Sequence, residues 1–291
     1  MTSFVNKKKI RIKITLGTGK FGSSDNDTLV LEDFRTVVDI EKAGEPSLAT
    51  LKAKIFGVGK EAMNSATTLQ WRPGTLIPNT IEVTAIDGTA ETLVFAGNII
   101  NAWGDYQSIP DVFLYVQAQA GMVNQLQPVP PRSFKGQVDV ASVLQQICKS
   151  MGYVFENNGV NVQLSDVYLA NTDMEQAKNL ARMAGIDYYL DDTVFAITPK
   201  NTPRRGLVPI ISAQSGMIGY PTYDGIGVNF ATLFNPGVRF GGLVKVETDV
   251  TQAAGEWVVS SISHRLEAEK PDGAWFSQIR GTLNGLAVVR L

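Results

Sequence analysis

Between residues 10 and 118 the chain alternates apolar and polar positions with a period of two. Ile10, Ile12, Ile14 and Leu16 set the pattern, and Thr28 to Leu31, Val37 to Ile40 and Leu51 to Val58 continue it. Thr80 to Ala85, Glu91 to Ile100 and Val112 to Ala118 follow. Turn-forming clusters such as Arg72-Pro73-Gly74 and Ile86-Asp87-Gly88 separate these runs. Short strands at that spacing predict a β-barrel or sandwich. Within this part, Gly59 to Thr68 has the composition of one short helical turn.

The pattern changes after Gln127-Pro128-Val129-Pro130-Pro131-Arg132, a stiff, polyproline-like connector. From Asp139, a good N-cap, apolar residues fall at Val140, Val143, Leu144, Ile147, Cys148 and Met151, the spacing of one helix face, with Gly152 as the stop. Thr172-Asp173-Met174-Glu175 is a capping box that opens a second helix ending before Gly185. Tyr153 to Phe155 and Val160 to Leu164 read as strands, and Ile186 to Leu190 and Thr193 to Ile197 flank Asp191-Asp192 as a hairpin. After Pro199 to Arg205 the strand pattern resumes at Val228 to Leu233, Leu243 to Thr248, Glu256 to Leu266 and Phe276 to Leu283, with turns at Asn235-Pro236-Gly237 and Pro271-Asp272-Gly273. Three stretches are therefore predicted. Residues 1–131 form a first β domain, 132–205 a small α+β insert with two helices, and 206–291 a second β domain, so the fold is mainly β and α+β overall.

Composition narrows the function. The 291 residues are 44% hydrophobic and 19% charged, an ordinary globular balance. Cys148 is the single cysteine and His264 the single histidine, too few for a disulfide or a zinc cluster. Neither a metal nor another cofactor is expected. A net charge of -2 argues against sequence-specific nucleic-acid binding. No run approaches the roughly 18 apolar residues of a membrane span. The N-terminus has no apolar stretch behind its charges, so synthesis in a cytoplasm is expected. Lys7, Lys8, Lys9, Arg11, Lys13 and Lys20 put six cations ahead of an acidic run from Asp25 to Glu45. They fit either an edge strand guarded by lysines or a basic surface facing an acidic partner.

Candidate chemistry is sparse. Gly17-Thr18-Gly19-Lys20-Phe21-Gly22 matches a dinucleotide-binding glycine pattern, but turn residues and a strand follow where a helix would have to start, so it reads as a hairpin loop. Strand alternation makes His264 a hydrogen-bonded, partly buried residue, and helix spacing buries Cys148. The acidic pairs Glu32-Asp33 and Asp191-Asp192 sit at turns or strand ends, where neighbours point to opposite faces. No catalytic residues are assigned.

Gly216-Met217-Ile218-Gly219-Tyr220-Pro221, then Gly227-Val228, Leu233-Phe234-Asn235-Pro236 and Gly241-Gly242-Leu243-Val244-Lys245-Val246, resemble the baseplate hub family of tailed bacteriophages, related to late-control-D and contractile-tail hub proteins. Phe95 to Ile100, Pro110-Asp111-Val112, Gly255 to Val259 and Pro271 to Phe276 add to the resemblance, which spans roughly residues 30 to 285. It implies a structural virion protein of the tail baseplate. The implied assembly is a homotrimer whose chains each supply two tube-like β-barrels, discontinuous in sequence where needed, with the tail tube or distal tube protein above and the central spike below. Other baseplate proteins would surround it. A tail-tip adaptor of a non-contractile phage is the alternative on the same fold, and a peptidoglycan hydrolase is the enzymatic one. Tyr220, Pro221, Phe234, Pro236, Trp275 and Phe276 are large or rigid groups in loop-rich segments and are the expected interface anchors.

Overall fold

Alternation of isoleucine with charged residues sends Ile10, Ile12 and Ile14 inward, all buried, and the cations outward. The computed structural model describes residues 8–21, 26–44, 48–67, 79–107 and 109–283. Its first strands are β1 (Lys8–Thr15), β2 (Thr28–Leu31), β3 (Thr36–Lys42), β4 (Thr50–Phe56), β5 (Thr80–Asp87), β6 (Ala90–Asp105) and β7 (Phe113–Gln119). Helix α1 (Lys60–Thr67) follows β4, where the sequence suggests a helical turn, and α2 (Met122–Leu126) follows β7. The expected Arg72-Pro73-Gly74 turn, Lys7, Glu45 and the glycine loop beyond Phe21 lie outside the described residues.

The middle segment comprises β8 (Arg132–Asp139), α3 (Val140–Met151), β9 (Val154–Asn157), β10 (Gln163–Leu169), α4 (Asp173–Ala184), β11 (Ile186–Asp191) and β12 (Val194–Pro199). Both long helices begin and end on their sequence signals. Asp139 accepts from the Ser142 backbone N–H and Thr172 from that of Glu175, while Gly152 and Gly185 close the helices in the left-handed region. Strand β8 carries no apolar alternation and is missed by periodicity. It exists because its backbone pairs antiparallel with β10.

The remaining strands are β13 (Ile210–Ile211), β14 (Met217–Tyr223), β15 (Gly227–Leu233), β16 (Leu243–Val246), β17 (Gly255–Ala268) and β18 (Trp275–Leu283). They do not form a sheet of their own. One thirteen-stranded sheet runs β14-β15-β18-β17-β3-β4-β7-β6-β5-β1-β2, with β16 on β17 and β13 on β16. The join is β17: Gly255–Val258 pair with β16 and Ile262–Ala268 pair with β3. Strand β1 is thus an interior strand between β5 and β2, which corrects its reading as an edge. Its cations meet acids of this chain, Lys9 with Asp33 at 2.6 Å and Arg11 with Glu32 at 2.6 Å and Glu91 at 2.7 Å, so they are already neutralised.

Buried apolar residues of the described chain gather in three cores. The first lies under β1 to β7, the second inside the middle segment, and the third under β15 to β18. Leu266, Ala268 and Trp275 come from the last stretch of sequence yet belong to the first core. Trp275 is 5% exposed there. Trp275→Ala is therefore expected to cost about 3–5 kcal/mol by urea denaturation, with the loss seen by probes in β4 and β7 as well as in β18.

Candidate functional site

Residues directly opposite one another in an antiparallel ladder point to the same face. Following the register across the sheet gives continuous rows. Thr232, Ser277, His264, Ile40, Leu51, Ala118 and Ile99 form one row over seven strands, and every member is buried. The neighbouring row on the other face reads Leu233, Phe276, Arg265, Asp39, Lys52, Gln117 and Asn101. Next to it run Ile218, Ala231, Gln278, Ser263, Glu41, Thr50 and Gln119. The face is polar, and its charges are partly balanced in place: Arg265 lies 3.3 Å from Asp39 and Arg280 lies 2.6 Å from Asp224. A groove of about 480 Å3 crosses it near Ile218, Tyr220, Ser263, Gln278 and Arg280.

This polar face ends at the open edge of β14. Gly219, in the left-handed region, sits where the β14–β15 register shifts between Ile218 and Thr222, a bulge that turns Tyr220 outward to 75% exposure. Leu207, Val208, Ile210, Ile218, Tyr223 and Ile226 are exposed in the same stretch, and Leu207 reaches 94%. Seven of the sixteen large hydrophobics exposed among the described residues thus fall between residues 207 and 226. Ile218, Tyr220 and Tyr223 lie on the edge strand β14 itself, whereas Ile210 lies on β13, which pairs with β16.

The six expected anchors scatter around this surface. Tyr220 and Pro236 are exposed and Pro221 is buried beside Tyr220. Phe234 is half-buried, edge-on to His264 at 5.4 Å and to Trp275 at 6.0 Å, and Phe276 lies half-buried in the polar row. Trp275 spends its ring in the first core. Leu207, Ile218, Tyr223 and Ile226 were not singled out by sequence. The signal was present in the apolar run Leu207 to Ile211, which has no alternation and no partner strand of matching length.

A second constellation lies where the three stretches meet. Lys42 of β3, 6% exposed, donates to Asp191 at 3.0 Å and Asp192 at 2.7 Å. Arg204, its side chain 1% exposed, donates to Glu156 at 3.0 and 3.1 Å, to Asp191 at 2.8 Å and to the Phe240 carbonyl at 2.9 Å. Arg239 donates to Glu156 at 2.5 Å. The two aspartates converge because Asp192 takes the left-handed conformation at the turn, which corrects the expectation that adjacent acids diverge. Burial works against the Glu156 carboxylate, but hydrogen bonds from Arg204, Asn158 and Arg239 hold it at about 2. For Asp191 the pull of Lys42 and Arg204 likewise outweighs burial and lowers the carboxyl. His264 hydrogen-bonds Ser277 at 2.7 Å, and burial together with the charge of Lys42 pushes it down to about 3. Burial also lifts the Cys148 thiol to about 12, so it is neither nucleophile nor ligand at neutral pH. No group of three or more metal-ligating side chains occurs among the described residues.

Comparison with known proteins gives a consistent picture. The family model described as baseplate hub gp41 matches residues 60–272. A tail protein from Neisseria meningitidis MC58 superposes with a TM-score of 0.61 at 10% identity, covering 95% of this chain and 97% of that one. The 43 kDa tail protein of prophage MuSo2 from Shewanella oneidensis gives 0.57 at 12% identity, covering 95% and 99%. An E. coli type VI secretion component, described as structurally similar to the T4 tail proteins gp27 and gp5, gives 0.52 at 11% identity, covering 86% and 73%. A sequence search of curated proteins finds no match.

Removing the Lys42 charge alone leaves buried Asp192 without a cation and Asp191 with Arg204 only. Lys42→Met is expected to destabilise the chain by about 3–5 kcal/mol, and Lys42→Met with Asp191→Asn and Asp192→Asn to recover most of it, read by urea midpoints. His264 stays neutral in the folded chain down to about pH 3, whereas an unfolded histidine takes up a proton below about 6.5. Stability therefore falls as pH drops from about 6.5 toward 3, by up to about 1.4 kcal/mol per pH unit. His264→Asn, which keeps a partner for Ser277 and does not titrate, should flatten that slope in denaturation series.

Proposed function

The chain belongs to the baseplate hub gp41 family, and from that premise we propose that three copies close into a ring at the tail axis, joining the tail tube to the central spike. Its role is structural. The proposed ring turns the polar face of β14, β15, β18, β17, β3, β4, β7 and β6 toward the channel and places the open β14 edge at the boundary between copies. What supports this reading is the coincidence of two features at one edge: a face mainly polar from β18 to β6 that turns apolar at Leu233, Ala231 and Ile218, and the exposed hydrophobics of residues 207–226 that follow in the chain at that edge. A heterologous contact that repeats head to tail closes a ring and covers an edge that a monomer leaves open.

We assign no catalysis to this chain. The one histidine is buried and neutral, the one cysteine is buried as thiol, and the acidic pairs are committed to Lys42, Arg204, Lys9 and Arg11. Piercing or wall cleavage in the assembled tail would then belong to partner proteins, and the chain itself would be found in the virion baseplate.

Light scattering on purified protein tests the ring. Wild type is expected at three times the 31.5 kDa chain mass. Tyr220→Asp with Ile226→Asp should shift it toward monomer, weakening association at least about tenfold, or about 1.4 kcal/mol, with an unchanged circular dichroism spectrum. A variant that associates as wild type does would contradict the assignment of this edge.

A further inference from the structure

We propose that residues 132–199 are a latched module: the ion cluster around Lys42 and Arg204 holds it against the two β regions, and discharging the cluster's carboxylates lets it swing on its connectors while its own core stays packed. This goes beyond the hub reading and does not depend on trimer formation.

The module is self-contained. Its strands form two sheets separate from the thirteen-stranded one, and its core, from Val140 to Ile197, is built within the segment. Two connectors tie it to the rest. One carries Pro128, Pro130 and Pro131, and the other runs through Pro203 to Gly206, whose φ of 150° suits glycine. What crosses the junction is mostly polar. Besides the ion cluster, the Arg205 N–H donates to Asn158 at 2.8 Å, and the Asn124 amide donates to the Met151 carbonyl at 3.3 Å. Apolar contacts across it include Tyr189 edge-on to Phe240 at 5.5 Å and α2 against α4. Packing there is incomplete. A cavity of about 20 Å3 lies among Lys42, Gly44, Leu48, Leu190 and Phe240, and a cleft of about 230 Å3 separates Glu82 and Gly97 from Tyr153 and Asp192.

Three cations oppose three carboxylates across this joint. Lys42 faces Asp191 and Asp192 from the module and His264 from β17; Asp192 also faces Tyr153, and one of its oxygens is buried with no hydrogen-bond partner. Arg204 faces Glu156 and Asp191, and Arg239 faces Glu156. Neutralising the acids leaves Lys42 and Arg204 buried without counter-charge, a state relieved only by letting water in. In an open module Asp and Glu titrate near about 3.9 and 4.3. Asp191 and Glu156 lie below those values when closed, so their contribution to the latch is complete above about pH 4.5 and is lost as pH falls through the closed-state values, whereas burial raises Asp192, which opposes closure as it ionises.

Hydrogen exchange on the full chain at neutral pH tests the latch without acid. Asp191→Asn, Asp192→Asn and Glu156→Gln together mimic the discharged cluster. Amides of Arg204 and Arg205, which donate to the Gly241 carbonyl and to the Asn158 Oδ1 at the joint, should exchange at least about tenfold faster. Those of α3, β15 and β18 should stay within about twofold of wild type. Adding Lys42→Met and Arg204→Met removes the stranded cations and should restore at least half of the lost protection on a logarithmic scale. Loss of protection in all three cores together, or unchanged protection at Arg204 and Arg205, would overturn the latch. Failure of the two methionines to restore protection would equally rule out charge as its basis.

Discussion

Strand β17 is the constraint on which the rest of the molecule depends. Its fourteen residues are longer than either core needs, and the two halves of one of its edges pair with different partners, β16 and then β3, while β18 runs along the other. A backbone hydrogen-bond ladder cannot be shared in this way unless the two β regions take a common register. The first β region accordingly finishes its core with residues from the far end of the chain, Leu266, Ala268 and Trp275. The register shift between Val259 and Ser261 marks the change of partner and supplies the extra twist that carries the strand from one curved sheet into the next.

Because the register is common, sidedness is common too. The row that buries His264, Ile40 and Leu51 has, one residue along each strand, a neighbour that exposes Arg265, Asp39 and Lys52. One alternation therefore specifies two cores on one side and, on the other, a continuous surface that is mainly polar from β18 to β6 and apolar at Leu233, Ala231 and Ile218. Lys42 ends β3 close to the point where β17 changes partner, and there it holds the turn of the middle segment through Asp191 and Asp192. Sheet continuity and the ionic joint thus meet at one place, where all three stretches of sequence are fixed with respect to one another.

Much of this was legible in the residues, and the gaps have physical causes. Helices α3 and α4 were readable to their caps because local hydrogen bonds from Asp139 and Thr172 decide their ends. Ile10, Ile12 and Ile14 named their own buried face. Pairing partners were not readable, since hydrogen bonds between strands leave no trace in local alternation: β1 read as an edge although it pairs with β2 and β5, and barrels discontinuous in sequence were allowed for without β17 and β3, some 220 residues apart, being named as the join. Strand β8 escaped because Gly136 interrupts its inward row, leaving only Phe134 and Val138 to pack on the second core, and its place is set by pairing with β10. Of the surface, Tyr220 was found from a rigid glycine and proline run, whereas Ile226 and Leu207 were missed because exposure is a property of the fold and not of the residue. The aspartate pair was read as diverging because Lys42, the partner that draws both side chains together, lies about 150 positions away.

In the ring we propose, the mainly polar face of the continuous sheet looks onto the axis shared by identical chains within the tail baseplate. An image reconstruction of the assembled tail end at side-chain resolution measures this directly. The account predicts three copies of the chain around the axis, with Gln117, Ser263 and Gln278 turned to the channel and β14 of each copy at a boundary with the next. A chain placed off the axis, or a ring in which those three residues face outward, would contradict it.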